Sequence, residues 1–352
     1  MRTMEWVDGR LRMIDQRVLP DREEWLLLDT WQEVAHTIRD MAVRGAPAIG
    51  AAAAYGLALE AQANASLSSE EWWERMEAAA EGLRQTRPTA VNLGWALDRV
   101  LGRVRAQGQE TGAGLANGTL AEAHAIAEED VVVNERLGEF GAELVPDGAN
   151  ILTHCNAGAL ATVAWGTALS VVYKAHGQGK QVHVWVDETR PLLQGARLTA
   201  WELHRAGVPM TLVADNAAGH LFQRSKVDMV VVGSDRVAAN GDVVNKIGTY
   251  KVALLAREHG VPFYAALPTS TIDLSVPTGM DVPIEERGED EVTIVRGQRV
   301  APDGIRAANP AFDVTPNRLV AGIITEYGVV KPPFEEGLAR VVARSRDEGV
   351  GT

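Results

Sequence analysis

From residue 150 onward one pattern repeats: a short apolar, often β-branched run, a polar loop, then a helical segment. NILT (150–153) ends in THCNAG, VHVWV (182–186) in DETRPLLQG and MTLV (210–213) in ADNAAG. VDMVVV (227–232) ends in GSDRVAANGDVVNKIGTY (233–250), and FYAAL (263–267) in PTSTID. Runs this short, bounded by polar loops, read as strands buried on both faces. Strands alternating with helices require right-handed crossovers and so a parallel sheet. In that topology the polar loops leave the carboxyl edge of the sheet, where open α/β sheets bind ligands. The pattern predicts one cleft lined by Cys155, 187–194, Asp215 and Asn216, 235–246 and 269–273.

The preceding half has a different period. Residues 5–29 read as short strands and turns, broken at Pro20-Asp21. From Trp31 the spacing becomes helical, with Val34, Ile38, Met41 and Ala42 on one face. RGAPAIG (44–50) then opens an Ala-rich helix, with Pro47 in its first turn. A helix N-terminus beside Arg44, with little bulk at Gly45 and Ala46, can hold an anion; the plain alternative is a turn between packed helices. A helical hairpin follows over 70–84 and 91–105. Arg87-Pro88 stops its first arm, and Thr89 or Asn92 can cap the second. Arg87 reads equally as a solvated helix-end charge. The small, polar stretch 107–118 predicts a loop, 119–144 a long helix, and 159–175, 196–206 and 250–260 the helices after three of the strands. Beyond Pro277 come an irregular segment with a short VTIV strand, a strand in LVAGIIT and a final helix over 334–346. The expected fold class is α/β, with a mainly helical N-terminal domain (1–130) and a Rossmann-like parallel-sheet domain (131–352).

Composition narrows the chemistry. A net charge of −13 argues against general binding to nucleic acid or acidic membranes, so an anionic ligand would need a local basic pocket. No apolar run has the length of a membrane span, and the N-terminal stretch lacks a signal-peptide core. The single cysteine excludes an internal disulfide and fits a reducing cytoplasm. GxGxxG after a strand, GxxxxGK[ST], HExxH, paired CxxC and GxSxG are all missing. Dinucleotide, P-loop, zinc and serine-hydrolase chemistry therefore lack support. The expectation is a reaction run by side-chain acids and bases, with no cofactor and no metal.

The polar loops offer the candidates. Cys155 sits at an expected strand-to-helix junction, where a helix N-terminus favours thiolate, although single cysteines also serve as inert packing. Asp235 follows a buried strand, so partial desolvation would raise its pKa and suit it to general acid catalysis; an Asx turn is the commoner use. Asn245 and Lys246 precede a helix and can join Arg44 and Arg87 around a phosphate. Gln194 and the Gly195 backbone can bind hydroxyls or phosphate oxygens. His154 would point away from Cys155 if both stay extended, so the two are not paired.

RGAPAIG, RPTAVNL, THCNAGALAT, DETRPLLQGARLTAWEL, GSDRVAANGDVVNKIGTY and NPAFDVTP together resemble the methylthioribose-1-phosphate isomerases, relatives of the regulatory subunits of translation initiation factor 2B. The resemblance runs in order from about Trp6 to Val330, with mild departures such as Ser234 where alanine is usual. It implies a homodimer of cofactor-free subunits converting 5-methylthioribose 1-phosphate to 5-methylthioribulose 1-phosphate in methionine salvage. By motif position it implies Asp235 as proton donor and Cys155 as the group assisting hydrogen transfer. It also implies Arg44, Gly45, Ala46, Arg87, Gln194, Asn245 and Lys246 as the substrate-binding set. Isomerases of ribose 1,5-bisphosphate or 5-deoxyribose 1-phosphate are the neighbouring alternatives, and a non-catalytic regulatory subunit the remote one.

Overall fold

The computed structural model describes residues 1–87, 90–109 and 111–348. The described chain forms two compact units, one of Met1–Val133 with Ala159–Gly166, the other of Asn134–Gly158 with 167–348.

The first unit opens on an antiparallel sheet of β1 (Met4–Val7), β2 (Arg10–Ile14) and β3 (Trp25–Leu28). Helices α1 (Trp31–Arg39), α2 (Ala46–Ala63), α3 (Ser69–Arg84), α4 (Val91–Ala106) and the first part of α5 (Gly112–Glu143) follow. Thr30 and Glu33 form a reciprocal capping box at the start of α1. Val34 and Ile38 are buried as the periodicity requires, whereas Met41 lies past the helix end with φ 57°. Helix α2 is apolar on every side and is buried along most of its length, at the centre of this unit's core. Its Gly50 lets α4 approach closely: a Cβ there would lie 2.9 Å from the Asn92 carbonyl oxygen.

Asn92 is therefore a buried residue inside α4 and does not cap it; the cap position is Ala90, which makes no side-chain bond. The other expected cap, Thr89, and Pro88 lie outside the described residues. The expected loop 107–118 is also shorter, because α5 already begins at Gly112. Glycines at 112, 114 and 118 weaken a helix by about 1 kcal/mol each, but Leu115 and Ala116 are buried in the core. Packing overrides propensity here. Trp72 is fully buried, with its indole N–H donated to the Ala61 carbonyl at 3.3 Å. Trp72→Ala should cost about 4 kcal/mol in a urea melt, through lost burial and the cavity left behind.

The second unit carries the rest of α5, then β4 (Asn150–Thr153), α6 (Ala168–Gly177), β5 (His183–Asp187), a π-turn (Gly195–Thr199) running into α7 (Ala200–Arg205), β6 (Met210–Val213), α8 (Ala217–Gln223) and β7 (Met229–Val232). Next come β8 (Arg236–Ala238), β9 (Val243–Lys246), α9 (Thr249–Glu258), β10 (Phe263–Ala266) and β11 (Ile272–Asp273). The chain continues through α10 (Asp290–Thr293), β12 (Ile294–Val295), β13 (Gln298–Arg299), β14 (Phe312–Thr315), β15 (Gly322–Thr325), β16 (Gly328–Val330) and α11 (Phe334–Asp347).

Seven strands form the main sheet in the order β16-β15-β10-β7-β4-β5-β6, parallel except for β16. Along β7, Val230 and Val232 enter one core cluster while Met229 and Val231 enter another. That alternation between two apolar layers is why the strand lacks polar residues.

Two expectations are corrected in this unit. The helix expected over 159–175 begins only at Ala168, after a 3-10 turn at Ala159–Ala161. The intervening residues bond within the first unit, where the Val163 carbonyl accepts the Thr3 amide at 2.9 Å and the Leu160 carbonyl accepts the Gln16 side chain at 2.7 Å. The stretch 233–250 is not an open loop either, since β8 and β9 make a hairpin within a second sheet ordered β11-β8-β9-β14. Val237 and Val243 are buried on that hairpin, and its turn is closed by Asn240 and Asp242, which bond each other around Gly241 at φ 86°.

Candidate active site

The order of the main sheet defines a switch point. From β4 the chain builds outward through β5 and β6; from β7 it builds the other way through β10 and β15. Ligands of open α/β sheets bind beyond the carboxyl ends of the two strands where that direction reverses. Cys155 follows β4 and Asp235 follows β7, the two strands at this point. The segments after these strands approach closely: a Cβ on Gly233 would lie 2.7 Å from that of Ala157.

Cys155 is half-buried, but not at a helix N-terminus, because α6 starts at Ala168. It occupies a left-handed turn, φ 64°, held at both ends of its peptide. Its amide donates to Thr189 Oγ1 at 2.8 Å, and its carbonyl accepts from Thr199 Oγ1 at 2.7 Å. Asp235 is exposed, although it follows a buried strand. The cause is its place at the open end of the β8–β9 hairpin, where its amide donates to the Val244 carbonyl at 2.9 Å.

His154 is fully buried. Its Nδ1 faces Asp187 Oδ2 at 3.0 Å and its Nε2 faces the Ile247 carbonyl at 2.8 Å. A carbonyl only accepts, so Nε2 carries a hydrogen. Burial pushes the Asp187 carboxyl above its ordinary pKa, against the opposing pull of the His154 bond. The corner after Ile247 is fixed in turn by Asp313, which accepts the Gly248 amide at 2.7 Å and the Tyr250 amide at 3.0 Å at the start of α9.

His154, Asp187 and Asp215 have ligand-type atoms within 4.8 Å of one another, the one such grouping among the described residues. Both His154 nitrogens are already engaged. The two Asp215 oxygens accept the Thr189 and Arg190 amides, each at 2.7 Å. The grouping is a hydrogen-bonded network that ties the end of β5 to its neighbours.

Gln194 is buried, and its Oε1 has no hydrogen-bond partner among the described residues. A buried acceptor left unpaired is costly, and a ligand hydroxyl would satisfy it. Beside it, a Cβ on Gly195 would sit only 1.7 Å from the Asp187 carbonyl oxygen. Gly195→Ala should therefore destabilise the protein by about 3 kcal/mol, read by urea denaturation. Asn245 and Lys246 are both buried on β9. As successive strand residues they leave opposite faces: Asn245 donates to Thr249 Oγ1 at 3.0 Å, while Lys246 Nζ donates to the Ala311 carbonyl at 3.0 Å and lies 4.6 Å from the Phe312 ring centre.

Arg44, Gly45, Ala46 and Arg87 belong to the first unit. Gly45 is the cap residue of α2 with φ 95°, and a Cβ on it would lie 2.5 Å from Ala161 Cα and O. Backbone and packing both demand glycine there. Ala46 begins α2, with Arg44 half-buried just before it. Arg87 is half-buried, and its carbonyl accepts the Ala90 amide at 2.9 Å. The structure thus brings Cys155, Asp235, Gln194, Asn245 and Lys246 into one unit and the two arginines into the other. Asp187 and Thr189 fall within the 187–194 stretch expected to line the cleft, though without a role of their own; the residues that sequence reasoning missed are Thr199 and the partners of His154.

A doubly wound sheet with a thiol and a carboxylate at its switch point defines an α/β protein, and its sequence places it further. The model of the initiation factor 2 subunit family matches residues 42–332, and the chain belongs to that family. Its relatives include proteins named methylthioribose-1-phosphate isomerase. That of Pelotomaculum thermopropionicum is 54% identical over 97% of this chain and 94% of its own. That of Desulforudis audaxviator is 55% identical over 97% and 98%. Among solved structures, 5-methylthioribose 1-phosphate isomerase from Pyrococcus horikoshii matches with TM-score 0.93 and 49% identity, covering 97% of this chain and 96% of that one. An A. fulgidus protein described as translation initiation factor 2B, subunit delta, matches with TM-score 0.89 and 45% identity, covering 97% and 99%.

Proposed function

We propose that this protein is an aldose–ketose isomerase that converts 5-methylthioribose 1-phosphate to 5-methylthioribulose 1-phosphate, the reaction of methionine salvage. The observation that carries the reading is the placement of Cys155 and Asp235 after the two strands of the switch point. The relatives' names support it from the sequence side.

The substrate explains the need for these groups. A phosphate on the anomeric carbon blocks the ring opening available to a free sugar. The ring oxygen must gain a proton as its bond to C1 breaks, and Asp235 gives that proton. Hydrogen then moves from C2 to C1, and the C2 hydroxyl loses its proton to become the ketone. Cys155 assists, either as the thiolate that takes the C2 proton, giving an enediol-like intermediate reprotonated at C1, or by stabilising a hydride shift. Arg44 and Arg87 supply charge for the phosphate, with Gly45 and Ala46 contributing backbone amides. Gln194 offers its unpaired Oε1 to a sugar hydroxyl, and Asn245 and Lys246 complete the binding set.

Two other readings are weaker. A non-catalytic subunit of a translation factor needs neither a thiol nor an acid at the switch point. Isomerases of ribose 1,5-bisphosphate or 5-deoxyribose 1-phosphate differ in the group carried at C5. Comparing kcat/KM for the three sugars separates them: the methylthio substrate should lead by about tenfold or more. Equal or better turnover of the bisphosphate would reject the proposed specificity. A cytoplasmic homodimer belongs to the same proposal, and light scattering on the purified protein reads its size. Among the described residues, no helix is long and apolar enough to cross a membrane.

A further inference from the structure

The end of β5 reaches across to the end of β4 and grips two consecutive residues. Asp187, at 0% exposure, bonds the ring of His154. Thr189, also at 0%, accepts the amide of Cys155 and returns its hydroxyl hydrogen to the Asp187 carbonyl at 3.1 Å. The ring of His154 is clamped from the other side by the corner after β9. There Ile247 accepts from Nε2, and a Cβ on Gly248 would lie 2.9 Å from the ring's Cε1.

Both partners in the Thr189–Cys155 bond have left-handed backbones, each with φ 64°. Side chains other than glycine and asparagine disfavour that conformation, and a β-branched threonine disfavours it most. Two unfavourable backbones joined by one short hydrogen bond persist only if the surroundings over-determine them. The surroundings here are specific: Asp215 holds the amides of Thr189 and Arg190, and Thr199 holds the carbonyl of Cys155.

We propose that Asp187, Thr189 and His154 form a positioning clamp that fixes the left-handed turn of Cys155 and so aims its thiol. None of the three touches the thiol as a reactive partner; they act through the backbone on either side of it. The role in turnover rests on the proposed isomerase reading. The effect on the thiol does not, and it can be measured separately.

Cys155 is the only cysteine in the chain, so alkylation reports on it alone. The second-order rate of iodoacetamide modification would be measured for the parent, T189V and T189S, with melting temperatures alongside. T189V keeps the shape but cannot accept the Cys155 amide; T189S restores the acceptor. Released from its turn, the half-buried thiol of T189V should alkylate about fivefold faster or more, while T189S stays within about twofold of the parent. In turnover, T189V should lose about tenfold or more in kcat with KM within about threefold, and T189S should recover most of it.

H154A and H154N provide a second pair should T189V fail to fold. The asparagine retains a polar group toward Asp187 and should shift the alkylation rate less than the alanine does. Alkylation equal to the parent in folded T189V, or in both His154 variants, overturns the clamp. A protein inactive on sugar phosphates whose T189V variant still alkylates faster would reject the isomerase reading and leave the clamp standing.

Discussion

Asp235→Asn is expected to lower kcat for 5-methylthioribose 1-phosphate by about 10³-fold, some 4 kcal/mol of transition-state stabilisation. The amide keeps the size and hydrogen-bonding reach of the carboxyl but has no proton to give the ring oxygen. The side chain is exposed at the open end of the β8–β9 hairpin, so folding should not suffer, and the melting temperature should stay within about 1 °C. KM should change little, because the binding groups are elsewhere. A variant that kept a tenth of the parent's kcat would remove Asp235 from the acid's role.

The second large effect is expected at the thiol. Cys155→Ser should reduce kcat by about 10²-fold or more with KM nearly unchanged. Serine fits the same left-handed turn and keeps both peptide hydrogen bonds, which are made by Thr189 and Thr199 to the Cys155 backbone. What it loses is acidity and polarisability. A thiol is deprotonated far more readily than a hydroxyl, so the serine can neither form the base nor spread charge during a hydride shift. Turnover by C155S equal to the parent would show that the thiol is a bystander in a tight turn.

Much of the second unit was legible because its signals are local and strong. The runs at 150–153, 182–186, 210–213, 227–232 and 263–267 overlap the strands β4, β5, β6, β7 and β10; burial explains the apolar residues of β4, β7 and β10, whereas β6 lies at the sheet edge with Leu212 exposed. Alternation of strand and helix is enough to put the loops with Cys155 and Asp235 at the carboxyl edge of the sheet, whatever the strand order.

What escaped the reading came from long-range packing. ALATVAW after Cys155 has an apolar pattern compatible with a helix, yet residues 159–166 pack with the first unit. That contact delays α6 and removes the helix end expected to activate Cys155. Gly112–Gly118 looked like a loop because glycine is a poor helix former, but burial of Leu115 and Ala116 decides otherwise. The hairpin in 233–250 was hidden by its polar residues, since only Val237, Val243 and Val244 signal burial. The exposure of Asp235 follows from that hairpin. The His154–Asp187 pair was missed for a related reason: alternation puts His154 on the face away from Cys155, and nothing local shows that a neighbouring strand end waits there.

The most direct measurement follows proton and phosphorus NMR spectra of 5-methylthioribose 1-phosphate incubated with the purified protein in heavy water, without added cofactor. Loss of the anomeric proton and growth of a ketose 1-phosphate, abolished by D235N, is the predicted result. Deuterium at C1 of the product would mark the enediol route, and its absence a hydride shift or a shielded proton. An unchanged substrate spectrum with folded protein present at comparable concentration would contradict the account.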